Sequence, residues 1–136
     1  MPARVPQRFA DAPVARMATT SADGDPHLVP VVFAVVDDTI YTAVDDKPKT
    51  TRRLRRLANI AATGRVSLLV DHYDDDWTRL WWVRVDGSAQ VIAAEGEEGR
   101  RAIDALVAKY PQYRSMRPAG PVVAVRDLRC RSWAAA

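Results

Sequence analysis

The sequence predicts an α+β fold that is mainly β, in which an antiparallel barrel or sheet carries two inserted helices. Runs rich in β-branched and aromatic residues recur between turn-forming segments, which is typical of strands. Two longer segments instead repeat their apolar residues with a helical period. Strands and helices do not alternate, so parallel βαβ units are not expected. At 136 residues, the chain is expected to form one domain over residues 1–136.

Six strands are predicted, and the second is the most informative. Residues 27–36 show almost no polar alternation, which indicates that both faces of this strand are covered. One face can meet the core of the domain, and the other needs a second sheet, a second subunit or a flat ligand. Residues 21–26 form the turn of a first hairpin, and Gly87 marks a bulge in the fifth strand. The predicted strands are residues 14–20, 27–36, 39–44, 65–73, 80–92 and 121–133.

The first predicted helix begins at about Pro48 to Thr50, is expected to end at the Thr63-Gly64 pair, and is strongly basic and amphipathic. Proline in the first turn and Thr50 as the cap suit the start of a helix, and the free N–H groups there favour an anion. The basic face therefore indicates either a phosphate site or a solvated charged surface. The second helix is predicted at residues 95–109, with an acidic first turn. A further short helix is expected at residues 6–12. The basic residues of the first helix and its approach are Lys47, Lys49, Arg52, Arg53, Arg55 and Arg56.

Composition limits the possible functions. The formal net charge of +3 is mild and is concentrated in one segment, which argues against a general nucleic-acid coat. A single cysteine, Cys130, excludes an intramolecular disulfide, and two histidines offer no zinc-binding spacing, so no metal site is expected. The N-terminus lacks the apolar core of a signal peptide, and the longest apolar run is too short to span a bilayer. We therefore expect a cytoplasmic protein without a membrane partner.

Few side chains suggest catalysis directly. No serine lies in a nucleophile-elbow sequence, and Cys130 is interpreted as a strand residue. His72, Tyr73 or a water molecule could supply a proton, but no catalytic residue is assigned. Trp82 lies on the otherwise polar face of the fifth strand, where a large aromatic side chain indicates a ligand or a partner.

The order strand, strand, strand, basic helix, strand leads into Arg-Val-Ser-Leu-Leu-Val-Asp-His-Tyr and then Trp-Thr-Arg-Leu-Trp-Trp-Val-Arg-Val-Asp-Gly-Ser-Ala. This arrangement resembles the pyridoxamine 5′-phosphate oxidase-like split β-barrel superfamily, and within it the group of probable coenzyme F420-dependent enzymes. The resemblance covers residues 9–133. It implies a six-stranded antiparallel split β-barrel with two or three helices. It also implies a homodimer that binds a flavin or deazaflavin in two equivalent clefts at the subunit interface.

The resemblance also implies which residues bind the cofactor. In the family, a basic residue three positions before an Asn-Leu pair holds the phosphate; here Asn59 and Ile60 match the pair, and Arg56 replaces the commoner lysine. Basic neighbours on the same face would extend the anion site, and residues of the second and third strands would border the ring. The implied cofactor-binding residues are Pro30, Val31, Val32, Thr42, Lys49, Thr50, Arg53, Arg56, Asn59, Trp77 and Trp82.

The leading interpretation is an oxidoreductase that transfers a hydride between coenzyme F420 and a small organic substrate. The alternatives are an FMN-dependent oxidoreductase of the same fold and a non-catalytic protein that carries a flavin or deazaflavin. A nucleic-acid binder built on the basic helix would need stacking aromatics beside that helix, and residues 50–65 contain none.

Overall fold

The structure is a computed structural model that describes residues 5–44 and 51–135, with only the helical backbone described for residues 51–54. The predicted α+β, mainly β class is confirmed. Two short 3₁₀ turns, Trp77–Arg79 and Pro111–Arg114, accompany three helices and seven strands. In chain order these are α1 (Gln7–Ala10), β1 (Ala15–Thr20), β2 (Pro26–Val31), β3 (Ala34–Val36), β4 (Thr39–Ala43), α2 (Thr51–Thr63), β5 (Arg65–His72), β6 (Trp81–Ile92), α3 (Glu97–Lys109) and β7 (Val122–Ala134).

The strands form one sheet in the order β2-β1-β5-β6-β7-β4-β3, and every neighbouring pair is antiparallel. Strands β2 and β3 are consecutive in the chain but lie at opposite ends of this order. Only Val32 and Phe33 separate them. The two ends of the sheet must therefore approach each other, and the sheet curls into a half-barrel.

The prediction of six strands is wrong, because the second predicted strand is two strands that meet different neighbours. Strand β2 pairs with β1, whereas β3 pairs with β4. The break falls at Phe33, whose ring is fully buried with its centroid 5.1 Å from that of Phe9. The Phe33 N–H donates to the Tyr110 hydroxyl, and the Phe33 carbonyl accepts from Lys109 Nζ. These tertiary hydrogen bonds replace the strand ladder at that point.

Two apolar clusters pack against the sheet, one on its inner side and one on part of its outer side. The first fills the inside of the half-barrel, and the second lies between α3 and the outer side of β3, β4 and β7. On β2, the side chains of Val29 and Val31 point to the inner cluster, while Leu28 on the other face is 66% exposed. The inner face of the predicted strand is thus covered, and its outer face is open in the single chain. Fully buried residues of the inner cluster include Phe9, Met17, Phe33, Ile40, Leu68, Val83 and Val85, and α3 contributes Ala102, Ile103 and Leu106 to the second.

Two glycines stand where local geometry requires them. Gly64 has a φ of +67° and donates its N–H to the Ile60 carbonyl at 2.8 Å, which confirms the predicted end of the basic helix. The strand register shifts between Asp86 and Ser88, which confirms the bulge at Gly87. A Cβ at Gly87 would lie 2.7 Å from Cγ1 of Val125, so no larger residue fits without movement. The predicted start of the basic helix, at residues 48–50, lies outside the described residues.

Across the described ranges, no helix has both the length and the apolar character needed to cross a membrane.

Candidate functional site

An open cleft of about 370 Å³ lies beside the point where the chain passes from β2 to β3. Its walls come from four places in the chain: the start of β1, the end of β2, strand β4 and helix α2. The 3₁₀ turn after α3 adds a tyrosine. The lining residues are Val14, Pro30, Val31, Val32, Thr42, Ala43, Arg56 and Tyr113.

Among the described residues that line this cleft, Arg56 is the charged one. It lies on α2 next to Leu57, which packs against the inner core, and the residue is only 9% exposed. A guanidinium remains ionised in proteins and presents a planar set of donors that matches a phosphate or a carboxylate. Because Arg56 lines the cleft, it is placed to contact an anionic group of a ligand bound there.

The wall formed by residues 30–32 and by β4 is mainly apolar. Val31 pairs with Ala15 of β1, and Thr42 pairs with Val123 of β7, so hydrogen-bonded strands hold both parts of this wall. Strands position a binding surface more rigidly than loops do. A firm apolar surface with one cation at its side is suited to a flat ligand that carries an anionic tail.

Five of the predicted site residues come together in this cleft: Pro30, Val31, Val32, Thr42 and Arg56. Lys49 and Thr50 lie outside the described residues, and the same holds for the side chain of Arg53.

Three other predicted site residues lie elsewhere. Asn59 is 4% exposed, and its Nδ2 donates to Oγ1 of Thr19 at 3.1 Å, so it attaches α2 to β1. Trp77 is 68% exposed, and its Nε1 donates to the Tyr73 hydroxyl at 3.1 Å. Trp82 lies in a different groove on the outer face of the sheet. In the single chain, therefore, none of these three side chains lines the cleft.

Three lining residues were not predicted: Val14, Ala43 and Tyr113. Val14 immediately precedes β1 and Ala43 is the last residue of β4, and neither carries a signal of its own in the sequence. Tyr113 belongs to the 3₁₀ turn Pro111–Arg114 that follows α3. Its ring meets that of Tyr110 edge-on, with the centroids 6.0 Å apart.

The end of α3 lies behind the cleft wall. Burial there lowers the pKa of Lys109 to about 8, with Asp11 opposing that shift. Burial also raises the pKa of Tyr110, against the smaller lowering effect of its hydrogen bond to Phe33. Tyr110 therefore remains a neutral hydroxyl at ordinary pH, able to donate and accept at the same time.

A second concave surface, the outer groove, lies on the open face of β2, β1, β5 and β6. It has a volume of about 590 Å³ and a largely apolar floor. An ion pair between Arg16 and Asp71, at 3.8 Å, lies within it. The outer groove consists of Arg16, Ala18, Leu28, Ser67, Leu69, Asp71, Trp82 and Arg84.

The two candidate proton donors on β5 and just after it are engaged with their neighbours. The His72 ring stacks on Trp81 with centroids 6.1 Å apart, and its Nε2 lies 3.7 Å from Oδ2 of Asp74. The Tyr73 hydroxyl accepts from Trp77. Neither side chain lines the cleft. Within residues 5–44 and 51–135, no three His, Cys, Asp or Glu side chains form a metal-ligand set.

Two sequence comparisons identify relatives. The family model described as pyridoxamine 5′-phosphate oxidase matches residues 1–132. A 5a,11a-dehydrotetracycline/5a,11a-dehydrooxytetracycline reductase from Streptomyces rimosus is 30% identical over 101 residues, which cover 71% of this chain and 68% of the relative.

Solved structures share the fold at lower identity. The heme storage protein HutZ from Vibrio cholerae is 12% identical with a TM-score of 0.70, over 94% of this chain and 90% of that one. An FAD-binding protein from Mesorhizobium loti is 18% identical with a TM-score of 0.67, over 96% and 95% of the two chains. The fold and the family model agree, and the chain belongs to the pyridoxamine 5′-phosphate oxidase family.

Proposed function

We propose that this protein is an oxidoreductase that binds a flavin-type cofactor in the cleft and exchanges a hydride between that cofactor and a small organic substrate. Coenzyme F420 is the proposed cofactor, and FMN is the alternative. One observation supports the proposal most directly: the nearly buried Arg56 shares a cleft with the apolar wall of residues 30–32. The reductase that is 30% identical supports the redox class.

Two features of the cleft support such a cofactor, namely the cationic side chain of Arg56 and the apolar wall. Arg56 would hold a phosphate oxygen pair through its planar donors. Residues 30–32 and Thr42 would lie against the flat ring. We propose that Lys49, Thr50 and Arg53 extend the anion site. Asn59 attaches α2 to β1 through its hydrogen bond to Thr19.

The bound cofactor would supply the hydride chemistry, and the chain would supply binding, orientation and a shaped cleft. Reduction of an electron-poor carbon also consumes a proton. Tyr113 lines the cleft and carries a hydroxyl group, and the cleft is open to solvent, so we propose that one of them delivers that proton. Because the relative is named for a dehydrotetracycline, substrates with a polarised carbon–carbon double bond are the first class to test, followed by quinones and nitroaromatics.

We also propose that the protein is a homodimer whose second copy covers the outer groove. Leu28 in this groove and Pro30 in the cleft lie on the same outward face of β2. A partner that covers Leu28 would therefore also border the cleft. The paired charges of Arg16 and Asp71 suit a two-fold contact, in which each patch meets its own copy.

The binding proposal is tested by titrating coenzyme F420 and FMN into the purified protein and following fluorescence. The wild type is expected to bind one of them with a micromolar dissociation constant. Arg56→Ala should weaken binding by about 10- to 100-fold, since a hydrogen bond to a charged group contributes about 1.5–3 kcal/mol. Arg55→Ala is the matched control, because Arg55 is the exposed neighbour on the same helix. Binding of neither cofactor, or an equal loss in both variants, would refute the proposal.

Turnover separates an oxidoreductase from a carrier. Reduced cofactor is mixed with the bound protein and the panel of enones, quinones and nitroaromatics, and its reoxidation is followed by absorbance. An oxidoreductase speeds the reoxidation by at least one panel member. Tight binding without any turnover would favour the carrier.

The dimer is tested by sedimentation velocity at micromolar concentration. The wild type should sediment as a dimer, and Leu28→Lys should sediment as a monomer. Met116→Lys changes a residue that is 62% exposed and lies outside the outer groove, so it should leave the dimer intact. A wild-type monomer would contradict the proposal.

A further inference from the structure

The hydroxyl group of Tyr110 joins three parts of the chain behind the cleft. It accepts the Phe33 N–H at 3.1 Å, and it lies 2.9 Å from the Pro13 carbonyl and 3.0 Å from the Phe33 carbonyl. The Phe33 carbonyl already accepts from Lys109 Nζ at 2.9 Å. The single hydroxyl proton is therefore best directed to Pro13, and every group in the set is satisfied.

Each partner of Tyr110 is next to a residue that lines the cleft. Pro13 precedes Val14, and Phe33 follows Val32. The Tyr110 ring also meets Tyr113, a third lining residue, edge-on. Tyr110 itself does not line the cleft, so it would touch no ligand there.

We propose that Tyr110 is a positioning residue for the cofactor site: its hydroxyl fixes the crossover between β2 and β3 and the start of β1, and so sets the shape of the cleft wall. Lys109 assists by binding the Phe33 and Ala10 carbonyls, both at 2.9 Å. This inference rests on the proposed function, because it treats the cleft as the cofactor site.

The physical reason is that the crossover has no strand neighbour to hold it. Phe33 is outside both β2 and β3, so its backbone groups depend on α3. Without the hydroxyl, the Phe33 N–H and the Pro13 carbonyl lose their partner and the segment can shift to find another. A flat ligand that needs a defined wall would then bind less tightly, because small misplacements of supporting residues weaken a binding site.

The test compares Tyr110→Phe with Tyr41→Phe. Both changes remove one hydroxyl that ties α3 to the sheet, since the Tyr41 hydroxyl donates to Glu98 at 2.6 Å. Lys109→Met is a second variant in case Tyr110→Phe does not fold. For each, the dissociation constants of coenzyme F420 and FMN are measured at a temperature where denaturation curves show a fully folded protein. Hydrogen exchange is measured by mass spectrometry without cofactor.

Tyr110→Phe is expected to weaken cofactor binding by about tenfold and to speed amide exchange in peptides covering residues 28–36. Lys109→Met should act in the same direction. Tyr41→Phe should change binding by less than about twofold and leave residues 28–36 unchanged. The inference is overturned if the wild type binds a cofactor and Tyr110→Phe binds it equally well. It is also overturned if Tyr41→Phe weakens cofactor binding as much as Tyr110→Phe does. If the wild type binds neither cofactor, the proposed function fails. If amide exchange at residues 28–36 is the same in Tyr110→Phe as in the wild type, the positioning role of Tyr110 is overturned whether or not a cofactor binds.

Discussion

The carboxylate of Glu98 should govern much of the acid sensitivity of this fold. Its Oε1 accepts from Nη2 of Arg126 at 2.8 Å, and its Oε2 lies 2.6 Å from Nη1 of the same guanidinium. The Tyr41 hydroxyl donates to Oε2 at 2.6 Å. These contacts tie the first turn of α3 to β4 and β7. The hydrogen bonds from Arg126, and then from Tyr41, lower the pKa of Glu98 from 4.5 to about 2.

This pKa shift sets the sign and the size of the effect. Because the folded-state pKa is depressed, the stabilisation is fully present above pH 4.5 and is lost as the pH falls towards 2. A shift of that size corresponds at most to about 3 kcal/mol. The Glu98 side chain is 29% exposed, and solvent screens the ion pair, so we expect about 1–2 kcal/mol.

Urea denaturation at a series of pH values measures this contribution. Glu98→Gln should lower the free energy of unfolding at pH 7 by about 1–2 kcal/mol, and the gap to the wild type should close between pH 4.5 and 2. Glu97→Gln is the control, because Glu97 is exposed in the same turn of α3. The free energy of unfolding of Glu97→Gln, plotted against pH, should run parallel to that of the wild type. A gap between wild type and Glu98→Gln that stays constant with pH would refute the reasoning.

Two further substitutions test the fold around the site. Gly87→Ala would place a Cβ 2.7 Å from Cγ1 of Val125, so overpacking should lower the free energy of unfolding by about 1–3 kcal/mol in urea denaturation. Asn59→Ala removes the buried hydrogen bond to Thr19 and should cost about 1–3 kcal/mol in the same assay. Cofactor titration of Asn59→Ala should show a smaller loss of affinity than Arg56→Ala; an equal or larger loss would mean that the Asn59 amide acts in binding.

Most of the fold could be predicted from local signals in the sequence. Gly64 ends α2 because the chain has a positive φ there, which glycine adopts without strain. Gly87 lies at the register shift of β6, where a glycine inside a strand indicates a bulge. The break after Val31 could not be predicted, because Val32 and Phe33 are themselves good strand formers. Its cause is tertiary: the hydrogen-bond partner of the Phe33 N–H is 77 residues away, on Tyr110.

The candidate site could be predicted only where a local pattern points to it. The basic helix alone left a phosphate site and a solvated surface open, and Arg56 was singled out because the family resemblance places a basic residue three positions before Asn59. The same spacing could not show that the Asn59 amide turns towards Thr19. Tyr113 was missed because its position depends on the 3₁₀ turn that follows α3, and nothing in its own sequence neighbourhood indicates a cleft.

Helix α3 has a different task at each of its ends. At its start, Glu98 binds Tyr41 and Arg126, which hold the helix on the sheet without touching the cleft. At its end, Tyr110 holds the crossover that forms the cleft wall. Substitutions at the start of α3 should therefore change the stability of the fold, and substitutions at its end should change the affinity for the cofactor. Glu98→Gln would weaken the fold in urea while leaving the dissociation constant unchanged, whereas Tyr110→Phe would change the dissociation constant itself.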